Sequence, residues 1–514
     1  MVPHIHLALG PNKAILTQLQ AIWFTVEHRV NAVPSATLTL STTGNALLLS
    51  QAEADIALCK NGNKISISLQ EDDSSQKAVV FSGVIVEQEL QMTRTSATLT
   101  LKLCHSLACL ESTYRSKVHA NLSAAQILKN IFQQHQVPLS NLVKMNIQQE
   151  QLIQFRCSDW LFTRRLLDEK GAWLLPSPDG VQVVSPKLAA KADLTLRNND
   201  LNSQSSSVSL YEARWLFNDQ HQTKKLTFTG WDIQTQKIMS VNATSEKLGD
   251  GALDPQQQRP LSNLPWVKGS SASLTPEELG ALANSTLQHL LAGAIQGVFR
   301  VQGSTTYQLG QTLALSGFGK HYDGAGIITS IAHNIDKALW TTELTVGLAG
   351  LTSVITPLPA IGGLHVGVVE PFKEDPQNLE RLRVKLPVLG DKDNVVWARL
   401  ALPYASKGSG FTFYPESGDE VVIDFFDDDP AFPVIIGSMY NPKNKAPVAL
   451  SKANKEKGIT LKVSDKKSLA LKFNTDELST ELINDADTLT MKKGVVIEGS
   501  SKIELKSKKI DLGN

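Results

Sequence analysis

A chain of 514 residues exceeds what one hydrophobic core organises, and 42% hydrophobic residues suffice to fill about three to five separate cores. Fifty basic side chains balance fifty acidic ones, so no global field draws the molecule to nucleic acid or to an anionic membrane, and any such binding has to be local. Cys59, Cys104, Cys109 and Cys157 form no regular framework and read as reduced thiols of a protein made in the cytoplasm. The first residues, MVPHIHLALGPNK, lack the order of a signal peptide, and nowhere do about eighteen apolar residues run together. Export would then need a machine or lysis. From Trp23 to about Cys104, segments such as ATLTL, KISISL and ATLTLKL alternate apolar and polar residues, which predicts a first β-barrel over residues 1–105. The period then shifts to three and four in NLSAAQILKNIFQQH and CSDWLFTRRLLDEKG, predicting two helices in an α/β insertion over 106–205, with Ser158 and Asp159 as N-cap candidates and Gly171 closing the second. Strands resume in KKLTFTGWDI, TLALSG, GIITSIAHNI and WTTELTVGL, with one helix near Pro276 to Leu291. A second barrel over 206–357 follows from them.

After the Pro/Gly linker TPLPAIGG, five short runs (GLHVGVVE, ERLRVKLPV, NVVWARLAL, DEVVIDFF and PVIIGSM) predict a small Greek-key barrel of the OB type over 362–445. Between the last two runs stand Asp427, Asp428 and Asp429. A calcium loop needs oxygen ligands at alternate positions with a glycine and a terminal glutamate, whereas contiguous aspartates before Pro430 give turn chemistry. Residues 446–514 then repeat GITLKVSD, SLALKF, TLTMKK, GVVIEGS, KIELKS and KKIDLGN, apolar at every second position. Ile459, Leu461 and Val463 share a face, as do Leu469, Leu471 and Phe473, Leu489 and Met491, Val495 and Ile497, Ile503 and Leu505, and Ile510 and Leu512. A thin run of short strands has nothing of its own to bury that face against, and its edges are unpaired. Winding three identical chains into a prism removes both problems. The expectation is an obligate homotrimer whose core holds Leu469, Leu471, Leu489, Met491, Val495, Ile497, Ile503, Leu505, Ile510 and Leu512. About eight strands per chain would make a needle on the order of 40 Å long.

The stretch ESGDEVVIDFFDDDPAFPVIIGSMYN resembles the OB domain of the VgrG (valine-glycine repeat) spike proteins and of phage baseplate spikes. The match runs through Gly418, Asp419, Glu420, Pro430, Pro433, Gly437, Tyr440 and Asn441, with WARLALPYASKGSG upstream. SDWLFTRRLLDEKGAWLL is similar to the hub helix of these spikes, FTGWDIQTQKI to a strand and turn of phage late-control proteins, and YQLGQTLALSG, GIITSIAHNID and WTTELTVGL to the closing hub strands. The resemblance implies a mainly β (α+β) fold: two hub barrels with a helical insertion, an OB barrel, and a C-terminal intertwined trimeric β-prism. It also implies a mechanical, non-enzymatic part in a contractile injection machine, of the extracellular phage-tail-like kind before type VI secretion or a phage tail. The implied partners are two sister copies, the tube protein, baseplate proteins, a PAAR-repeat tip protein docked on Ile510, Asp511, Leu512, Gly513 and Asn514, effectors, and a membrane met transiently. No cofactor, resident metal or nucleic acid is implied. The particle would be assembled in the cytoplasm and the spike then released or injected.

Other readings start from fewer residues. Cys104, His105 and Cys109 lack the second pair of a zinc site. No G-x-S-x-G, H-E-x-x-H or G-x-x-x-x-G-K-[ST] motif occurs, while a cell-wall hydrolase built on two carboxylates brought together in space stays open as an alternative. No further globular segment is expected between barrel and needle or after Asn514. The remaining rival is single-stranded nucleic-acid binding by the OB barrel through Arg381, Arg383 and Lys385, which share a face without interleaved aromatics.

Overall fold

The computed structural model describes residues 3–42, 52–71, 77–94, 96–198, 208–257, 260–336, 339–348, 357–464 and 467–510. Strands dominate, with five α-helices among the described residues: α1 (Glu53–Leu58), α2 (Ala108–Glu111), α3 (Ala124–Gln134), α4 (Asp159–Lys170) and α5 (Pro276–Ala292). The sequence at their ends explains the three longer ones. Ser123 and Gln126 close a reciprocal capping box at α3, and Thr275 and Glu278 do the same at α5, where Pro276 takes the first turn. Ser158 caps α4 by accepting from Leu161 N–H, and Gly171 ends it at φ +63°.

The two hub halves are hydrogen-bonded into one thirteen-stranded sheet. The strand Leu19–Arg29 pairs antiparallel with Gly324–Asp336, from Trp23 opposite Asp336 to Arg29 opposite Ser330. Buried along most of its length, Gly324–Asp336 is also paired with Trp340–Val346, so neither edge is left bare. One core lies within the first half, around Phe24, Leu38, Phe81 and Leu101, and reaches Ile335 and Trp340 of the second. Another gathers Phe299, Leu313, Ile328 and Leu344 in the second half.

Between the halves, the ribbon Tyr114–Ser123 with Gln148–Ser158 carries α3 and α4 over a core of Leu128, Phe132, Phe162 and Leu166. Further on, the strands His365–Val369, Leu382–Lys385, Val395–Leu400, Pro433–Ser438 and Glu420–Phe425 close a barrel in that spatial order. Strand order one-two-three-five-four is the OB arrangement. Its core of Val384, Val396, Val421, Ile423 and Ile435 continues into Val118, Ile153 and Phe155 of the ribbon, so barrel and insertion share apolar packing. The last unit is a sheet of five strands, Glu456–Lys462, Ser468–Asn474, Ser479–Asn484, Asp487–Lys492 and Gly494–Glu498, each hydrogen-bonded to the next in chain order.

Candidate functional site

In the C-terminal sheet the register sets Ile459 opposite Leu471, Leu471 opposite Leu482, Leu482 opposite Leu489, and Leu489 opposite Ile497. One unbroken apolar row therefore crosses all five strands. Because side chains alternate, Leu461 and Leu469 flank the row on one side, and Phe473, Met491 and Val495 on the other. This face is bare in the single chain: Leu482 is 55% exposed and Ile497 52%, while Ala470 is the one buried hydrophobic residue of the sheet. Five strands stand here where about eight were expected. Ser479–Asn484, which supplies Leu482, is not legible in the sequence, because Leu482 and Ile483 are adjacent and break the period-two alternation among polar neighbours. Ile503, Leu505 and Ile510 lie in exposed segments outside any strand, since among the described residues no neighbouring strand completes their ladder. Asp511, Leu512, Gly513 and Asn514 lie outside the described residues.

The OB motif residues tie the chain together where it leaves the barrel. Gly418 turns at φ +92° into the fourth strand. Asp419 accepts from Glu416 N–H at 2.9 Å and from the Asn444 amide at 3.1 Å, and Asn441 donates to Glu420 at 3.0 Å. Asn441 Oδ1 also accepts from the backbone of Lys443 and Asn444. Pro433 is buried at the start of the fifth strand, Gly437 follows its bulge, and Tyr440 is 70% exposed.

The three aspartates form a turn, and that turn fastens the barrel to the hub. Asp427 sits in left-handed backbone at φ +55° and accepts from Ser271 N–H at 2.7 Å and Ala272 N–H at 3.1 Å, just before α5. Asp428 is also left-handed, and its carbonyl accepts from Ile361 N–H. Asp429 accepts from Ala431 N–H, and burial, with Glu169 adding to it, pushes its pKa up against the opposing pull of Arg165. Among the described residues no three His, Cys, Asp or Glu side chains are placed to hold a metal ion. At Cys104–Cys109, the His105 Nδ1 accepts from Leu107 N–H, and the Cys109 thiol donates to the Ser106 carbonyl.

Beside this turn a cavity of about 530 Å³ opens between ribbon, hub and barrel, lined among others by Glu150, Glu169, Trp231, Trp397, Arg399 and Asp429. Its charges are largely paired. Arg381, 9% exposed at the side chain, reaches Glu150 at 2.5 and 2.8 Å and Asp375 at 2.6 Å. Burial opposes the charge on Asp375, but Arg381 and the N–H groups of Gln377, Arg381 and Leu379 outweigh it and hold the carboxyl well below the usual range. Trp397 stands across from Arg383, so the outward face of barrel strands two and three does carry one aromatic beside its cations. Yet Gln151 of the ribbon bonds both the N–H and the carbonyl of Trp397, and Arg381 lies over the indole at 5.6 Å from its centroid. Through Arg381, Glu150 of the ribbon is thereby tied to part of the strand face by which OB barrels bind oligonucleotides, while Gln151 fills the strand edge beside it.

Ser285, His289 and Asp168 mimic a hydrolytic triad. Ser285 Oγ lies 3.4 Å from His289 Nδ1, and His289 Nε2 lies 3.5 Å from Asp168 Oδ1. All three are at most 4% exposed where α4 crosses α5, and Ser285 donates to the Asp168 carbonyl. A nucleophile sealed between helices, with its proton already committed to a carbonyl, meets no substrate. Nor is any helix among the described residues long and apolar enough to span a membrane.

A β hub merging into an OB barrel, which leads in turn to a thin sheet with a bare apolar face, is a fold shared with solved VgrG-type spike structures. Residues 9–337 match the model of the Alg8 N-terminal domain, and the chain belongs to that family. Residues 365–440, the barrel itself, match the type VI secretion system/phage-baseplate injector OB domain. Spike protein VgrG1c of Pseudomonas aeruginosa is 30% identical over 126 residues, covering 23% of this chain and 17% of that protein. VgrG1b of the same organism is 31% identical over 102 residues, covering 18% and 14%. The matched stretch is thus under a fifth of those relatives' length. In fold, a chain of the lidless PdpA–VgrG complex has a TM-score of 0.62 at 10% identity, covering 97% of this chain and 98% of that one. The E. coli c3393 protein, described as a type VI secretion component similar to the T4 tail proteins gp27 and gp5, has a TM-score of 0.53 at 12% identity, covering 84% and 99%.

Proposed function

We propose that three copies of this chain form the spike of a contractile injection machine, with the hub toward the tube and the C-terminal sheets wound into a needle aimed at a membrane. The observation that carries this reading is the bare apolar row from Ile459 to Ile497. Burying one such side chain stabilises by roughly 1.5–3 kcal/mol, which one chain forgoes and three chains meeting on an axis recover. On this reading the tube and baseplate proteins bind the hub. A PAAR-repeat tip protein docks at Ile510 to Asn514, and effectors ride on the spike, as the solved PdpA–VgrG complex of a fold relative illustrates. The part played is mechanical, not enzymatic, and needs no cofactor: the sealed Ser285–His289–Asp168 group supports this. The spike is made in the cytoplasm and built into a particle, an extracellular phage-tail-like one in first place, before release or injection. The tie of the barrel's strand face and edge to the ribbon speaks against the nucleic-acid reading.

Light scattering of the full-length chain tests the proposal. A mass of three chains at micromolar concentration is expected, and a monomer with its last sheet ordered would overturn it. Deleting Lys502 to Asn514 should leave the trimer intact and abolish capture of the tip protein; capture at the original level would remove the docking assignment.

A further inference from the structure

The third and fourth strands of the barrel are joined by residues 401–419, a long connection for so compact a unit, and such connections are mostly functional. It is shaped as an arm. Ala405–Ser406 pairs with Ser409–Gly410, Phe411 N–H bonds the Tyr404 carbonyl, and the Tyr414 hydroxyl donates to Glu380. The hairpin needs glycine: Gly408 turns at φ +67°, and a Cβ on Gly410 would fall 2.6 Å from the Tyr404 oxygen. Despite this order, Tyr404, Phe411, Phe413 and Tyr414 are 52, 48, 47 and 45% exposed. Together they leave roughly 400 Å² of aromatic surface in water on one short connection.

A second patch lies on the same barrel. Val366 stands opposite Val422, and Ile436 sits at the bulge beside Val422's next partner, so three apolar side chains face outward on the first, fourth and fifth strands. Val366 is 45% exposed and Ile436 46%. An arm and a separate stripe on one molecule are the two halves of a head-to-tail contact, which closes into a ring when the rotation permits. The occupant is fixed by the tether. Asn441 and Asn444 are pinned to Glu420 and Asp419, so only residues 445–455 separate the barrel from the C-terminal sheet. That span is at most roughly 40 Å, which holds sister barrels at millimolar effective concentration once the sheets have joined.

Resting on the threefold reading above, we propose that the aromatic arm of each barrel seats on the Val366–Val422–Ile436 stripe of the next copy, closing a second ring of contacts above the needle. The test uses full-length chain carrying Phe413→Cys with Ile436→Cys and a short bismaleimide. Wild type is the control, because Cys59 and Cys157 are buried and Cys104 and Cys109 partly so. A covalent ladder ending at three chains is expected, with each single cysteine variant at the control level. In parallel, the double variant Phe411→Ser, Phe413→Ser should raise the concentration at which trimers dissociate by about tenfold or more. Trimers that crosslink only within single chains, or arm variants that dissociate as wild type does, overturn the arm contact and leave the needle reading standing. A monomeric wild type overturns both.

Discussion

At the scale of single residues, the acidic turn shows how few atoms join two large units. Asp427 accepts two backbone N–H groups from the segment before α5, from a left-handed conformation that asparagine and aspartate tolerate better than alanine. Asp427→Ala should therefore destabilise the protein by about 1–3 kcal/mol, and Asp427→Asn, which keeps an acceptor and tolerates the backbone, by less. Thermal melts check this. Neither calcium nor chelator should shift the wild-type midpoint, because the carboxylate is already spent on amides. The histidines near the seam of the hub behave differently. Burial lowers the pKa of His28, with Val80 and Glu27 opposing, and pushes His105 down to about 4, with His28 adding to the effect. Burial likewise holds His333 at about 3, its Nδ1 accepting from Thr342. These groups fold neutral and unfold with a higher affinity for protons. Their sites cost nothing above the unfolded pKa of about 6.5, and stability falls as pH drops from there toward 4, by up to about 1.4 kcal/mol per pH unit for each group. Denaturation midpoints measured from pH 7 to 4 should fall steadily, and less steeply in His333→Asn if the amide keeps the Thr342 contact.

At the scale of elements, the period-two pattern is enough to place Leu469, Leu471, Leu489, Met491, Val495 and Ile497 on one face, since alternation is fixed by the pleat and needs no knowledge of the neighbours. Ser479–Asn484 escapes because its two apolar residues, Leu482 and Ile483, are neighbours and give no period-two signal, yet its register completes the row. The strands expected around Ile503 and Ile510 have the same alternation and no ladder, because a strand exists only where another chain segment lies beside it. The pairing of Leu19–Arg29 with Gly324–Asp336 is hidden for the complementary reason: both strands are legible, but nothing local says that they meet. Capping chemistry, being local, was readable at Ser158 and Gly171. A face argument is best tested by contrast. Leu482→Lys puts a charge in the middle of the apolar row, while Thr490→Lys puts one on the opposite side of the same sheet. Gel filtration should show the first variant at the mass of one chain and the second at the mass of three. Loss of assembly in both would mean that either face is buried, and the assignment of the needle core to the Leu471 face would fail.

At the scale of the whole molecule, the joint between hub and barrel decides whether the chain moves as one body under axial load. Its contacts include Val118, Ile153 and Phe155 continuing the barrel core, the Asp427 turn, the Gln151 bonds to Trp397, and the buried bridge of Arg381 to Glu150 and Asp375. Arg381 reads in the sequence as one of three exposed cations on a strand, because its partners lie 231 positions back and six positions back, the first of them beyond any local pattern. Its removal leaves two nearly buried carboxylates facing each other, and breaking such a bridge from one side typically costs about 3–5 kcal/mol. Arg381→Ala should thus lower stability by that order, whereas Thr275→Ala, which breaks only the α5 capping box nearby, should cost about 1 kcal/mol. The more informative reading is calorimetric. With the bridge intact, the barrel is expected to unfold together with the hub insertion whose side chains it shares. In Arg381→Ala the barrel should separate as an earlier transition, and addition of Glu150→Gln should recover part of the loss by removing one orphaned charge. A single unshifted transition in Arg381→Ala would show that apolar packing alone carries the joint, and the bridge would then be a solvated ornament of the barrel rather than its fastening to the hub.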